Sequence, residues 1–322
     1  MARFLVRRLA YALLLVVAVS SAALILTRVA PGDVTAQLGP FAPADEIART
    51  RARFDLDRSP VQQWVTWVGR SARLDLGDSF LYNRPVSQLL GPAGINTAIL
   101  AFAALTLATL IGIPLGIFTG SQHGGVLPNV IRATSLVLLS LPPLLMSLVL
   151  VFLAAETGWL PVGGMSSVGA LGLGWAGWIS DVALHLPVPA LALALPIAAT
   201  FERLQAQSMS ETVHQPFVLA AMARGVARND IIVRHAWPVS LRPIAAIYGL
   251  VIGALLSGSF VVEYVTAWPG LGRLMFEALR ARDIYLVAGC AALGGFFLAI
   301  GSIIADLLLA VADPRVRDGD AA

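Results

Sequence analysis

Lysine is absent from this chain: all 22 of its basic residues are arginine. Schiff-base chemistry through a lysine is therefore excluded. So is a phosphate-cradling G-x-x-x-x-G-K-[S/T] loop, whose lysine has no equivalent here. Cysteine occurs once, at Cys290, which rules out an internal disulfide framework. The four histidines, His123, His185, His214 and His235, fall in separate segments and form no metal-ligand spacing. Serine is plentiful, yet no G-x-S-x-G elbow or equivalent nucleophile motif occurs. Charge is scarce as well, at 13% of residues against about 25% in soluble domains. With 57% hydrophobic residues in 322, too little polar surface remains to solvate a globule, so the bulk solvent is lipid. The net charge of +3 is carried by dispersed arginines without a dense basic run, which argues against nucleic acid as a partner.

What the chain has in abundance is long apolar runs. A spanning helix needs about 20 mostly apolar residues to cross a hydrocarbon core of about 30 Å. Six runs qualify: Leu9–Thr27, Ile95–Thr119, Ile131–Ala155, Val182–Ala199, Ile244–Val262 and Tyr285–Val311. The fourth is the weakest, because Pro187, Pro189 and Pro196 interrupt it. The first follows "MARFLVRR"; it is longer than a signal-peptide core and lacks an A-x-A cleavage site, so it reads as an anchor. Arg3, Arg7 and Arg8 then hold the amino terminus on the cytoplasmic side. Six spans put 28–94, 156–181 and 263–284 outside, and 120–130, 200–243 and 312–322 inside. The arginine count itself is even across the two sides.

The long segment after the first span reads as a small folded element. Pro43-Ala44-Asp45-Glu46 starts one helix running from Ile47 to Phe54, and Pro60 opens another with Trp64, Trp67 and Val68 on one face. It is either a cap over the mouth of a pathway or a docking surface for an external partner. Gly172, Gly174 and Gly177 spell G-x-G-x-x-G, but no strand precedes them and no acidic residue follows at the right distance, so a flexible loop or interfacial turn is expected. Ionisable residues within the runs are few. Asp306 lies deepest, with Glu156, Asp181 and Glu263 near ends; Asp306 reads as a relay or, better, as a bond to a neighbouring helix or the boundary. A conduit driven from elsewhere fits this better than an ion-coupled secondary transporter, and an intramembrane enzyme lacks a catalytic constellation.

One interval, "SETVHQPFVLAAMARGVARNDIIVRHAWPVSLRP" (210–243), breaks the apolar pattern. Pro216 suits a first helical turn, and Phe217, Ala220, Ala221 and Arg224 follow at helical spacing. Gly225 permits the left-handed backbone that ends a helix. Asn229 or Asp230 can cap a second helix carrying Ile231, Ile232 and His235, which Pro238 stops. On composition alone this is an amphipathic interfacial helix. Small residues before a glycine, then nine residues and His235-Ala236-Trp237-Pro238, resemble instead the "EAA" coupling motif of ABC importer permeases. Leu219 stands at the family glutamate and His235 where many members have isoleucine, as in the peptide-type branch.

The resemblance extends over the chain. "FLVRRL…APGD", with Pro31-Gly32-Asp33, is similar to the start of dipeptide/oligopeptide/nickel-type permeases. "FDLDRSP" is similar to their Leu-Gly-Leu-Asp-Lys-Pro element, with Asp55 in place of the glycine. "LDLGDS" is similar to Gly-Asp-Leu-Gly-x-Ser, with Leu74 in place of the first glycine. "NTAIL", "IPLG", "LPPLLMSLVL", "LPVPALALAL" and "RLQAQSMSETV" follow in family order. "VEYVTAWPGLGRLMFEALRARDIYLVAG" carries Glu263, Trp268, Pro269, Gly270, Gly272, Arg282 and Asp283, and "DLLLAVADPRVR" closes the chain.

The resemblance implies an all-α integral membrane protein with six transmembrane helices, the type I ABC importer permease fold, and a small helical external segment after the first span. Its parts would be the amino-terminal span 1–30, the external segment 31–93, a permease domain 94–311 with coupling helices at about 216–238, and a cytoplasmic tail 312–322. ATPase coupling would fall on Ala220, Ala221, Gly225, His235 and Pro238. Glu263, Trp268, Pro269, Gly270, Gly272, Arg282 and Asp283 would form an external motif or gate region. The implied partners are a second homologous permease in a heterodimer, two ABC ATPase subunits, an extracytoplasmic binding protein and the lipid of the bacterial inner membrane. No cofactor would reside in this chain, since ATP and magnesium belong to the partner subunits. Short peptides are the favoured cargo, with nickel, a nickel chelate or another small solute as alternatives.

Overall fold

The computed structural model describes residues 2–30, 35, 41–122 and 124–312. Pro31-Gly32-Asp33, His123, Asp313 onward and the side chains of Arg3 and Asp306 lie outside the described residues. The described chain is almost entirely helical. In order it comprises α1 (Ala2–Val29), α2 (Ala44–Arg53), α3 (Pro60–Ser71), the two-residue strands β1 (Asp78–Ser79) and β2 (Arg84–Pro85), and α4 (Val86–Ser121). Then come α5 (Val126–Ser140), α6 (Pro143–Thr157), α7 (Gly174–His185), α8 (Pro187–Thr212) and α9 (Pro216–Ala223). The remainder is α10 (Arg228–Asp230), a π-helical stretch (Ile231–Ala236), α11 (Trp237–Ser240), α12 (Arg242–Gly258), α13 (Phe260–Val265), α14 (Leu271–Ala281) and α15 (Ile284–Ala312).

Five of these stretches are long and apolar enough to cross a membrane, and α5 with α6 supplies a sixth if the bent pair counts as one span. The third run is therefore not the single helix expected over Ile131–Ala155. α5 and α6 meet at 107°. Leu141 (ψ 117°) and Pro142 (ψ 147°) are extended, because the residue before a proline is driven out of the helical region and Pro142-Pro143 offers no N–H to continue the ladder.

The fourth span is displaced from Val182–Ala199 to Pro187–Thr212. Pro187 and Pro189 occupy its first turn, where the missing N–H groups have no helical acceptor to lose. The helix continues past Ala199 because Glu202 and Gln205 are buried against protein at 1% and 0% exposure. The Gly172–Gly177 stretch is a turn in its first part only. It is a short 3-10 turn over Ala170–Leu173 leading into the ordered helix α7, with Gly174 at φ +74° at the junction.

Two compact units divide the contacts: Met1–Ala98 with Leu256–Ile300, and Ile99–Leu255 with Gly301–Ala322. In the first, α3 begins with a full capping box, Ser59 to the Gln62 N–H and Gln62 back to Ser59. Trp67 from α3 joins Leu24 of α1, Phe54, Leu56 and Leu286 in one core. Trp64 Nε1 donates to Ser21 Oγ at 2.7 Å, tying α3 to α1.

In the second unit α4 packs on α8 through Gly112, Gly116 and Gly120. A Cβ at these positions would stand 2.4 Å from Ala198 O, 2.5 Å from Gln205 Cβ and 2.4 Å from Ala206 O. Small residues four apart let membrane helices approach this closely, where dispersion and not hydrophobicity holds them. Gly249 against Ala305 and Gly253 against Gly301 repeat the device between α12 and the end of α15.

Candidate functional site

The break at Gly225 is a complete Schellman termination. Gly225 takes φ +78°, its N–H donates to Met222 O (2.9 Å), and Val226 N–H donates to Ala221 O (3.3 Å). The helix that follows starts at Arg228 with Ala227 as N-cap and no side-chain cap, so neither Asn229 nor Asp230 caps it. Asp230 pairs instead with Arg234 one turn on (3.5 Å), and Arg228 donates to Ser121 O at the end of α4 (2.8 Å). The stretch then widens into a π-helix over Ile231–Ala236, immediately before Pro238. A proline ring collides with the carbonyl four residues earlier in an α-helix, and widening the turn moves that carbonyl aside.

These short pieces close over one core of Met209, Val218, Ala221, Ile231 and Ala236. Ala221 is fully buried, so the close approach its small side chain allows is internal. Ala220 faces outward with Leu219 (53% exposed), and Phe217 and Met222 are exposed on the same short helix. Among the described residues, His235 Nδ1 and Trp237 Nε1 are buried without a hydrogen-bond partner.

The segment around Trp268 has a different character. Glu263 is fully buried, and each of its carboxylate oxygens accepts two hydrogen bonds. Thr97 Oγ1 (2.8 Å) and Ser259 Oγ (2.6 Å) donate to Oε1; the N–H groups of Gly272 (2.7 Å) and Arg273 (3.2 Å) donate to Oε2. The last two belong to the first turn of α14, where a carboxylate meets both unpaired donors and the positive end of the helix dipole. Thr97 Oγ1 in turn accepts from Leu271 N–H (2.7 Å). Trp268 is fully buried and donates through Nε1 to Asn96 O (3.0 Å), while Asn96 Nδ2 donates to Pro269 O (2.8 Å). Gly270 and Gly272 have no room for a Cβ: it would lie 2.4 Å from Glu263 Oε2 and 2.2 Å from Phe260 Cα respectively.

Residues 112–318, well over half the chain, match the protein family described as binding-protein-dependent transport system inner membrane component. The oligopeptide transport system permease protein AppB of Bacillus subtilis is 28% identical over 320 residues, covering 98% of this chain and 100% of its own length. A Brucella suis protein named as a peptide permease is 30% identical over 322 residues, 98% of this chain and 99% of that one. The chain belongs to the binding-protein-dependent permease family.

It is thus a transport permease subunit and not an enzyme. The family works with an ATPase and a substrate-binding component. The absence of a Walker lysine fits a permease whose ATP is hydrolysed on another chain.

Sequence reasoning placed Glu263 and Trp268 through Gly272 in one motif, and the structure draws them into one hydrogen-bonded knot. Arg282 and Asp283 lie apart from that knot, at the far end of α14. Arg282 is left-handed (φ +54°), and Asp283 is 1% exposed with Oδ2 accepting from Ser79 Oγ (2.6 Å) and Leu81 N–H (3.0 Å). Its Oδ1 accepts from Leu286 N–H (3.2 Å) at the start of α15. Burial pushes the Asp283 carboxyl above the ordinary aspartate range, against the pull of these hydrogen bonds. Asp283 thus pins the β1–β2 hairpin, which the sequence reading did not foresee, to the α14–α15 corner. On the same hairpin Tyr82 donates to Glu277 of α14, and burial together with that bond pushes its phenol up to about 12.

Two further features escaped the sequence reading. The Gly112–Gly116–Gly120 stripe was visible as small residues at a period of four inside an apolar run. Glu202 was visible only as a charge in a segment read as a cytoplasmic loop. Its Oε1 accepts from Thr119 Oγ1 at 2.6 Å, and its Oε2 has no partner among the described residues.

Proposed function

We propose that this permease is one half of a heterodimeric pathway in an ATP-driven importer of short peptides. It would sit in the bacterial inner membrane with both termini in the cytoplasm. Two ATPase subunits grip residues 216–238 from the cytoplasm, and a binding protein delivers the peptide on the opposite side. The peptide assignment rests on relatives named as oligopeptide and peptide permeases over nearly their full length. The observation that carries the coupling role is the geometry at Gly225. A short helix that exposes Phe217, Leu219 and Met222 around the core-facing Val218 and Ala221 ends in a fixed reversal, and a second helical piece runs from there into Pro238. Such a unit moves as a body when gripped, because its two pieces share one core.

The test is substitution at Gly225. Nothing lies within 4 Å of a Cβ there, so a side chain meets only the backbone penalty of φ +78°. For a β-branched residue that penalty is about 1–2 kcal/mol or more, and asparagine tolerates the region better. Gly225→Val should leave the reconstituted transporter in the membrane but uncouple ATP hydrolysis from peptide uptake, and Gly225→Asn should retain most coupling. Unchanged uptake and substrate-stimulated hydrolysis in Gly225→Val would remove the lever from this account.

A further inference from the structure

The second unit contains a cavity of about 530 Å³ between α5 and α8. Arg132, Leu136 and Leu139 line it from α5, and Arg203, Leu204 and Gln207 from α8. Arg132 and Arg203 are both exposed, and neither forms an ion pair among the described residues. One Arg132 nitrogen donates to Thr119 O (2.6 Å), which fixes the base of that guanidinium and leaves its other donors to the cavity. Glu202 is part of the wall, but it is 1% exposed and bonded to Thr119, so the charged groups that present hydrogen-bond donors to the cavity are the two arginines.

The depth of these arginines is informative. At 1.5 Å per residue, Arg132 lies about 9 Å from the start of α5 and Arg203 about 14 Å from the end of α8. α8 is about 39 Å long against a hydrocarbon core of about 30 Å; with that excess at its carboxyl-terminal end, Arg203 starts about 5 Å inside the core, a distance its long side chain spans by snorkelling to the headgroup boundary. The floor beside them is apolar, with Leu136 51% and Leu139 38% exposed. Two forked cations above an apolar strip at this depth are complementary to one kind of membrane component.

We propose that this cavity binds an anionic phospholipid, its phosphodiester held between Arg132 and Arg203, beside Gln207 whose Nε2 gives one hydrogen to Glu211 Oε1 (3.2 Å), and an acyl chain lying along Leu136 and Leu139. The complete transporter, with its partner subunits, is reconstituted into bilayers of equal phosphatidylglycerol and phosphatidylcholine. It is then re-extracted, and the lipid that stays bound is quantified by mass spectrometry. At about a fivefold gain per arginine, phosphatidylglycerol should be enriched over phosphatidylcholine by about twenty-five-fold. Arg132→Gln/Arg203→Gln should abolish the enrichment. Arg203→Gln alone, which removes no hydrogen bond or ion pair among the described residues, should lower it about fivefold, and Arg73→Gln should leave it intact. Equal retention of both lipids, undiminished enrichment in Arg203→Gln, or no lipid retained because a partner subunit covers the face would each overturn the proposal. Displacement of phosphatidylglycerol by inorganic phosphate would also overturn it, because the site would then recognise free phosphate.

Discussion

Glu263→Gln is the sharpest single perturbation of the motif around Trp268. Each oxygen of the carboxylate faces two donors: the hydroxyls of Thr97 and Ser259 at Oε1, and the backbone N–H groups of Gly272 and Arg273 at Oε2. A glutamine satisfies the two N–H groups only by turning its NH2 to the hydroxyls of Thr97 and Ser259, which must then accept in place of donating and lose the charged acceptor for their own protons. Two hydrogen bonds to a charged acceptor are lost and buried donors are left unpaired, a cost of roughly 3–6 kcal/mol. Domains are stable by about 5–15 kcal/mol, so that loss is a large part of the whole. Thr97→Val removes one bond to Glu263 and one from Leu271 and should cost less. Thermal unfolding of the detergent-solubilised permease, followed by loss of the monodisperse species, should rank the parent above Thr97→Val and Thr97→Val above Glu263→Gln. Glu277→Gln, which keeps an oxygen for Tyr82 to donate to at a one-third-exposed pair with Arg273, should melt close to the parent. If Glu263→Gln also melts with the parent, the carboxylate does not organise the start of α14 and the structural role assigned to it is wrong.

Two backbone sites and one helix contact give further tests. Leu74 adopts φ +63° and is 85% exposed, so Leu74→Gly relieves left-handed strain of about 1–2 kcal/mol, loses little packing, and should stabilise by about 0.5–1 kcal/mol after the entropy of glycine is counted. Asp55 has φ +55° but pairs with Arg58 at 3.2 Å, so Asp55→Gly should gain less, measured by the same melting assay. Gly116→Ala drives a Cβ to within 2.6 Å of Glu202 O and should destabilise by about 1–3 kcal/mol, whereas Gly91→Ala, with nothing within 4 Å, should be neutral or stabilising.

Much of this architecture was legible because lipid leaves so few ways to hide a backbone. Long apolar runs located α1, α4, α12 and α15 to within a few residues at most ends, and the Pro-Gly punctuation located the break at Gly225. α4 nevertheless begins nine residues earlier than expected, at Val86, because its first turns pack on the α15 side of the first unit, where a Cβ on Gly289 would lie 2.5 Å from Val86. The misses share a cause: hydropathy reports what faces lipid, not what faces protein. α8 outran its apolar stretch because Glu202 and Gln205 are buried by α4 and α11, the latter through Gln205 Nε2 to Ser240 Oγ at 2.7 Å. The α5–α6 bend is a backbone event written in Pro142-Pro143, which a hydropathy average over Ile131–Ala155 smooths away. Two departures from the family pattern, Asp55 and Leu74, stand where that pattern has glycine. The structure gives them content: both are held in the left-handed region that a glycine would occupy without strain.

Residues 216–238 are the most exposed part of this account, and a single cysteine can interrogate them. Cys290 is buried at 1% exposure and reports little background. Leu219→Cys should crosslink to the ATPase subunit in the assembled transporter and, once the ATPase is stripped off, should react with a membrane-impermeant maleimide in inverted vesicles and not in right-side-out ones. Labelling from the right-side-out face alone, without that crosslink, would contradict the placement of this element and the coupling role built on it.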